Sequence, residues 1–347
     1  MIPGRIFPFL VALLCMVLTT SGIAQQTSVT LLFQNQQPLE IHLEFSIKEV
    51  KKITNDTIYT PTWMRYKNDS GSWDSLKMDI RARGEYRRKN CFFPPLRIKM
   101  KKKETEGTVF AGNKDLKLVL PCQQNKSSND LILKEYIGYK LYEPVTPYFF
   151  HTRLVDITLT DRSGKHPQTY TLKGIFIEDD DLVARRFHAK MVKDDFQLHP
   201  LRLQDTTSTI HDFFQYMIAN TDWSSIAQHN IKVMQLNERE YIPLSYDFDM
   251  SGLVNAPYAT TSETLDIVSV RQRVYRGFCR TDSIFYAVRD EYLKGEEEIM
   301  HVFDAPEIAG LNPKDLSGCK KFTEEFFLTL KDDKQFKENI LSKCRTK

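Results

Sequence analysis

Alternating apolar and polar positions dominate the first half of the chain. Val29, Leu31 and Phe33, then Ile41, Leu43 and Phe45, face polar neighbours in turn, which predicts extended structure from Ser28 to about Lys52. Turn chemistry follows at Asn55-Asp56 and at Asn68-Asp69-Ser70-Gly71. Residues 76–82 alternate again and stop at Gly84. A basic loop, Arg87-Arg88-Lys89-Asn90, then leads through Pro94-Pro95 into a strand over 96–100, with another over 116–120. At Ser127 the period changes: Leu131, Ile132, Tyr136, Tyr139 and Leu141 carry helical spacing to Tyr142, and Ser128 to Asp130 form a cap region. Residues 153–159 and 170–177 read as a hairpin around Asp161-Arg162-Ser163-Gly164, closed by the acidic run 178–181, read as a solvated turn. Beyond it, 182–191 and 209–219 are helical in pattern, 231–236 and 241–244 form a short hairpin, and a charged helical tail runs from Arg271 with breaks at Pro306 and Pro313. The pattern predicts an α+β protein: a sheet-rich part with one helix over 25–180 and a helix-rich part over 181–347.

Composition narrows the class. With 41% hydrophobic and 27% charged residues, the chain has the balance of a folded protein and not of a disordered one. A net charge of +3 is too small to argue for a nucleic-acid partner. Residues 1–24 have the layout of a secretory signal peptide: Arg5, an apolar run over 6–18, then Gly22 and Ala24 at the small positions before a cleavage site. That run is shorter than the ~20 residues a membrane span needs, and no later stretch is apolar enough for one. The mature protein is therefore expected outside the cytoplasm: periplasmic, on the cell surface or secreted. Five cysteines would remain, and oxidising compartments permit disulfides. The preferred pairing is Cys91–Cys122, with Cys279 joined to Cys319 or to Cys344.

Two acidic motifs carry the candidate chemistry. Asn220-Thr221-Asp222-Trp223, followed by His229-Asn230, begins a loop after an amphipathic helix; Tyr246-Asp247-Phe248-Asp249 follows the strand ending at Leu244. Phosphoryl transfer uses such a set: one Asp orients the acceptor hydroxyl, while an Asn and a second Asp hold magnesium against the phosphates. Hard oxygen ligands suit Mg²⁺ or Mn²⁺. Each motif also has a plain alternative, since Asn and Asp favour turns. Asp247 and Asp249, two positions apart, face one side if they lie on a strand.

These motifs, with Ile80-Arg81-Ala82-Arg83-Gly84 and Leu96-Arg97-Ile98-Lys99, occur in an order that resembles the CotH kinase family, in an exported branch, over roughly residues 78–255. The resemblance implies a two-lobed protein-kinase-like fold, with an antiparallel-sheet N-lobe, a mainly helical C-lobe and ATP in the cleft. It implies Asp222 as the catalytic aspartate, Asn230 and Asp247 as metal ligands assisted by Asp249, and an unknown protein or cell-envelope acceptor. Lys99 is the candidate phosphate-binding lysine and Glu135 its candidate partner. The sequence departs from the kinase pattern in two ways. Asn230 follows Asp222 by eight positions where a kinase loop has about five. No glycine-rich loop is present, so Arg83 and the arginines after Gly84 would have to replace it, gripping phosphate bidentately. A catalytically inactive surface binding or scaffold protein is the competing expectation.

Overall fold

The computed structural model describes residues 29–193, 198–262 and 265–346. The expected signal peptide lies outside them. Strands β1 (Leu39–Phe45), β2 (Thr60–Lys67), β3 (Trp73–Ala82), β4 (Leu96–Lys99), β5 (Asp115–Val119), β6 (Thr152–Asp161) and β7 (Gln168–Ile177) form a closed barrel in the order β1-β2-β3-β4-β5-β7-β6. Period-2 patterning fills it: Ile41, Leu43, Met78, Ile80, Ile98, Leu118 and Ile157 are buried inside, while Glu40 and Glu44 of β1 point outward. Closure comes from a parallel pairing of β1 with β6, Leu39 opposite Val155 through Phe45 opposite Asp161.

This corrects the expected two-lobed kinase-like fold with an open antiparallel sheet. The sheet is closed, and one of its seams is parallel. Alternation tells which face of a strand is buried, but not which strands become neighbours, so the seam left no local trace. Strand β2 was also hidden, because only Met64 and Tyr66 of its eight residues are buried.

Helix α1 (Glu85–Asn90) stands where a loop was expected, and α2 (Ser127–Tyr142) matches its expected bounds. The later elements are α3 (Asp180–Arg186), β8 (Lys190–Met191), α4 (Asp205–Met217), the hairpin β9 (Ile231–Asn237) and β10 (Glu240–Ser245), α5 (Asp282–Lys294) and α6 (Pro313–Lys331). Their apolar faces share one core with α2 and with Leu154, Ile175 and Ile177 of the barrel strands. Pro313 occupies the first turn of α6, where a missing N–H costs nothing.

The acidic run is not a solvated turn. Glu178 is buried against Arg186, Asp179 caps α3 and pairs with Arg97 at 2.8 Å, and Asp180 pairs with the buried Lys117. The cysteines form Cys91–Cys122 and Cys279–Cys344, leaving Cys319 buried as a thiol. Both bridges are compatible with export. Among the described residues, no helix is long and apolar enough to cross a membrane.

Candidate active site

Three chain segments build one cleft. The first leaves α4 through Ala219, whose φ of +48° lies in the left-handed region, and turns on Asn220, whose Oδ1 accepts the Asp222 N–H at 3.0 Å. Ser224 and His229 then exchange two backbone hydrogen bonds, 2.9 and 3.0 Å. This closed excursion explains the eight-position interval, because it returns Asn230 to Asp222. Asn230 Nδ2 donates to the Asp222 carbonyl at 2.7 Å and to its Oδ2 at 3.0 Å. His229 Nε2 lies 3.1 Å from Asp222 Oδ1.

The second segment follows β10. Asp247 takes a φ of +64°, and its N–H donates to the Tyr139 hydroxyl of α2 at 2.9 Å. Phe248 is buried between the rings of Tyr139 and Phe214 and anchors the turn. Gly252 and Leu253 then donate to the Ala219 and Ile218 carbonyls, both at 3.0 Å, and bind the two acidic segments together. A Cβ on Gly252 would stand 2.5 Å from the Val270 carbonyl and 2.8 Å from Ala219 Cβ, so only glycine allows this approach. Left-handed backbone at Ala219, Gln228, Asn230 and Asp247 is concentrated here. Such conformations cost about 1–3 kcal/mol each and collect where geometry is held for a purpose.

The third segment is Arg83-Gly84 and α1. Gly84, with φ of +72°, turns the chain into a helix too short to hold itself. The Cys91–Cys122 bridge and a 2.7 Å bond from Phe92 N–H to the Cys122 carbonyl pin its far end.

Between these segments lies a cavity of about 620 Å³. Arg83, Arg87 and Lys89 line it together with Asp222, Asn230, Asp247 and Asp249, and Tyr86 and Tyr246 add aromatic surface. The expected residues Arg83, Asp222, Asn230, Asp247 and Asp249 thus meet in one place. Lys99 does not line this cavity, and its Nζ sits 4.5 Å over the Tyr59 ring. Glu135 is buried and paired with Arg87 at 3.9 Å, which corrects the expected Lys99–Glu135 pair. Periodicity put Lys99 on a polar face of the sheet without saying that this face looks away from the cleft.

The sequence grouped Arg87 with the other arginines after Gly84 as a phosphate grip, and the structure sets it apart from them. It is buried, 3.8 Å from Asp249 and bonded to the Leu120 carbonyl. Burial opposes its charge, but Asp249, Tyr258, Glu135 and Asp247 around it hold the guanidinium more firmly charged than usual. Burial pushes the Asp249 carboxyl up to about 6 against the pull of Arg87, and raises Glu135 well above its usual range. Asp249 also hydrogen-bonds Tyr258. Its position beside Cys91 was the available clue, since a bridge there immobilises an otherwise polar helix. His229 is raised, first by its hydrogen bond to Asp222.

The acidic donor set is oxygen-rich and free of sulfur, which fits a hard divalent ion. Among the described residues, no three His, Cys, Asp or Glu side chains are grouped so as to hold an ion alone. Mg²⁺ commonly takes one or two carboxylates and completes its shell with water and substrate phosphate. Asp247 with Asn230 suits that pattern better than Asp249, whose carboxylate faces Arg87 and Tyr258. No family model matches the chain, and no curated protein matches it.

Proposed function

We propose that this cleft binds a nucleoside triphosphate with Mg²⁺ or Mn²⁺ and transfers its terminal phosphoryl group to a hydroxyl of a protein or cell-envelope acceptor outside the cytoplasm. The observation that carries the reading is the convergence of Asp222, Asn230 and Asp247 in one cavity with Arg83 and Arg87. The resemblance to the CotH kinase family, as an exported ATP-dependent phosphotransferase, is part of this proposal and rests on the four motifs alone. Asp222, with 37% of its side chain exposed, is the group able to orient an acceptor hydroxyl, and His229 beside it can share the released proton. Arg83 meets phosphate oxygens, while Arg87 holds a positive potential beside it. Asn230 and Asp247 would hold the ion, which when bound neutralises phosphate charge. Tyr86, half exposed at the rim, offers a face for the base.

Calorimetric titration of Mg²⁺ and ATP into the mature protein tests this. Wild type binds, and Asp247→Ala lowers affinity at least tenfold; equal affinity in the two sinks the proposal. A binding protein without transfer is the second reading, favoured by the engagement of both Asp222 oxygens with Asn230 and His229. It predicts binding with no phosphate release or transfer to any hydroxyl acceptor.

A further inference from the structure

A second cavity, of about 280 Å³, shares Asp222, His229 and Met250 with the main cleft. Its remaining walls are Thr221, Trp223, Ser224, Thr260, Thr261 and Arg276, with Ser262 at the edge. The lining is hydroxyl-rich, and besides the Asp222–His229 pair it holds one guanidinium.

That cation differs from the arginines nearest it in sequence. Arg273 pairs with Glu325 and Arg280 with Asp205, whereas Arg276 has no carboxylate within ion-pair distance among the described residues. Its guanidinium donates to the Thr221 and Trp223 carbonyls and lies 5.7 Å over the Trp223 ring. These are neutral partners, and the side chain is half-buried. A half-buried guanidinium that faces a cavity, with Asp222 acting on it only from beyond ion-pair distance, is a place for an anion. Trp223, 4% exposed, walls the cavity beside that guanidinium, and among the described residues its buried indole Nε1 has no acceptor.

We propose that this cavity is the acceptor subsite and that it takes an alcohol carrying an anionic group, a carboxylate or phosphate, with the anion on Arg276 and the hydroxyl toward Asp222. Calling the ligand an acceptor rests on the phosphoryl-transfer reading; the anion site does not. The transfer breaks the bond between the terminal phosphorus and its bridging oxygen and forms one from that phosphorus to the acceptor oxygen. The hydroxyl proton passes to the Asp222–His229 pair, and the nucleoside diphosphate leaves with the bond's electrons.

The test is calorimetry on the intact mature protein with two matched pairs: glycerol 3-phosphate against glycerol, and the peptide Glu-Glu-Ser-Glu-Glu against Gln-Gln-Ser-Gln-Gln. The pairs separate a small-molecule source from a peptide source. The expected result is that in at least one pair the anionic member binds wild type at least tenfold more tightly. Arg276→Gln removes that preference and Arg276→Lys keeps part of it. Because Arg276 also braces two carbonyls, its variants are checked by thermal melting. Ser224→Asp, which places a carboxylate on the same wall, supplies an independent loss of preference if Arg276→Gln fails to fold. Two results overturn the proposal: no preference in wild type, or a preference that persists in folded Arg276→Gln (in folded Ser224→Asp, should Arg276→Gln not fold). Failure of Mg²⁺–ATP binding with the anion preference intact would remove the phosphotransferase reading and leave the anion site standing.

Discussion

Replacing Arg87 with Met removes the positive charge that lies within ion-pair distance of two buried carboxyls, Asp249 at 3.8 Å and Glu135 at 3.9 Å. At that separation and an effective dielectric of about 20, each attraction is worth about 4 kcal/mol before desolvation is counted. Protonation limits what the loss can cost. Asp249 has a folded pKa of about 6 against 3.8 when unfolded. A carboxyl raised in this way weighs least on the fold below pH 3.8, and its penalty grows until pH passes its folded value. At pH 8 wild-type Asp249 is ionised. Without Arg87 it escapes by taking a proton, at about 1.4 kcal/mol for each pH unit above 6, so its share is about 3 kcal/mol. At pH 5 it already holds the proton and that share vanishes. The lost bond to the Leu120 carbonyl adds about 1 kcal/mol at either pH. Arg87→Met should therefore cost about 3–5 kcal/mol at pH 8, the range for breaking a buried pair, and about 1–2 kcal/mol at pH 5. Urea unfolding of both proteins at the two pH values, at one ionic strength, measures this. An equal loss at pH 5 and pH 8 would refute the argument that the carboxylates, and not packing, set the cost.

Other outcomes follow from the same geometry. Gly252→Ala forces its new methyl against the Val270 carbonyl and should destabilise by about 1–3 kcal/mol while weakening Mg²⁺–ATP binding; thermal melts and calorimetry that match wild type would contradict the clamp between the acidic segments. His229 should titrate above 6.5 by NMR, and Asp222→Asn should bring it back toward 6.5; its pairing supports the fold fully below pH 6.5 and loses that support as pH rises through the raised value. The Cys319 thiol, pushed up to about 11 by burial, should resist a thiol reagent at pH 8 until the mature protein is unfolded and then react as a single equivalent; labelling of the native protein would show that its packing is open.

What the sequence disclosed depended on how local each cause was. The helix over Ser127–Tyr142 was legible because its apolar spacing acts within a few residues, although the expected cap Ser128 to Asp130 lies inside its first turn and Asn125 accepts the Ser128 N–H instead. The acidic site was legible for the same reason: Asn220 to Asn230 and Asp247 sit in short turns whose residue types announce them. Barrel closure was not legible, because the partners Leu39 and Val155 are far apart in sequence. Helix α1 has no apolar face, so periodicity could not see it, and the disulfide that holds it acts from outside. Lys99 and Arg87 differ in their surroundings through which way their elements face, and within the acidic run Asp179 and Asp180 found their cations on strands β4 and β5 and Glu178 on α3. These outcomes are set by tertiary placement.

The parallel seam between β1 and β6 has a consequence for how the chain must be made. The first strand waits for a partner separated from it by roughly a hundred residues, a loop whose closure entropy has to be met before its contacts give any return. Until β6 and β7 emerge, β1 and β5 present unpaired edges that other chains can join. A fragment ending before Thr152 should accordingly aggregate, whereas one reaching past Ile177 has every stave its cylinder requires.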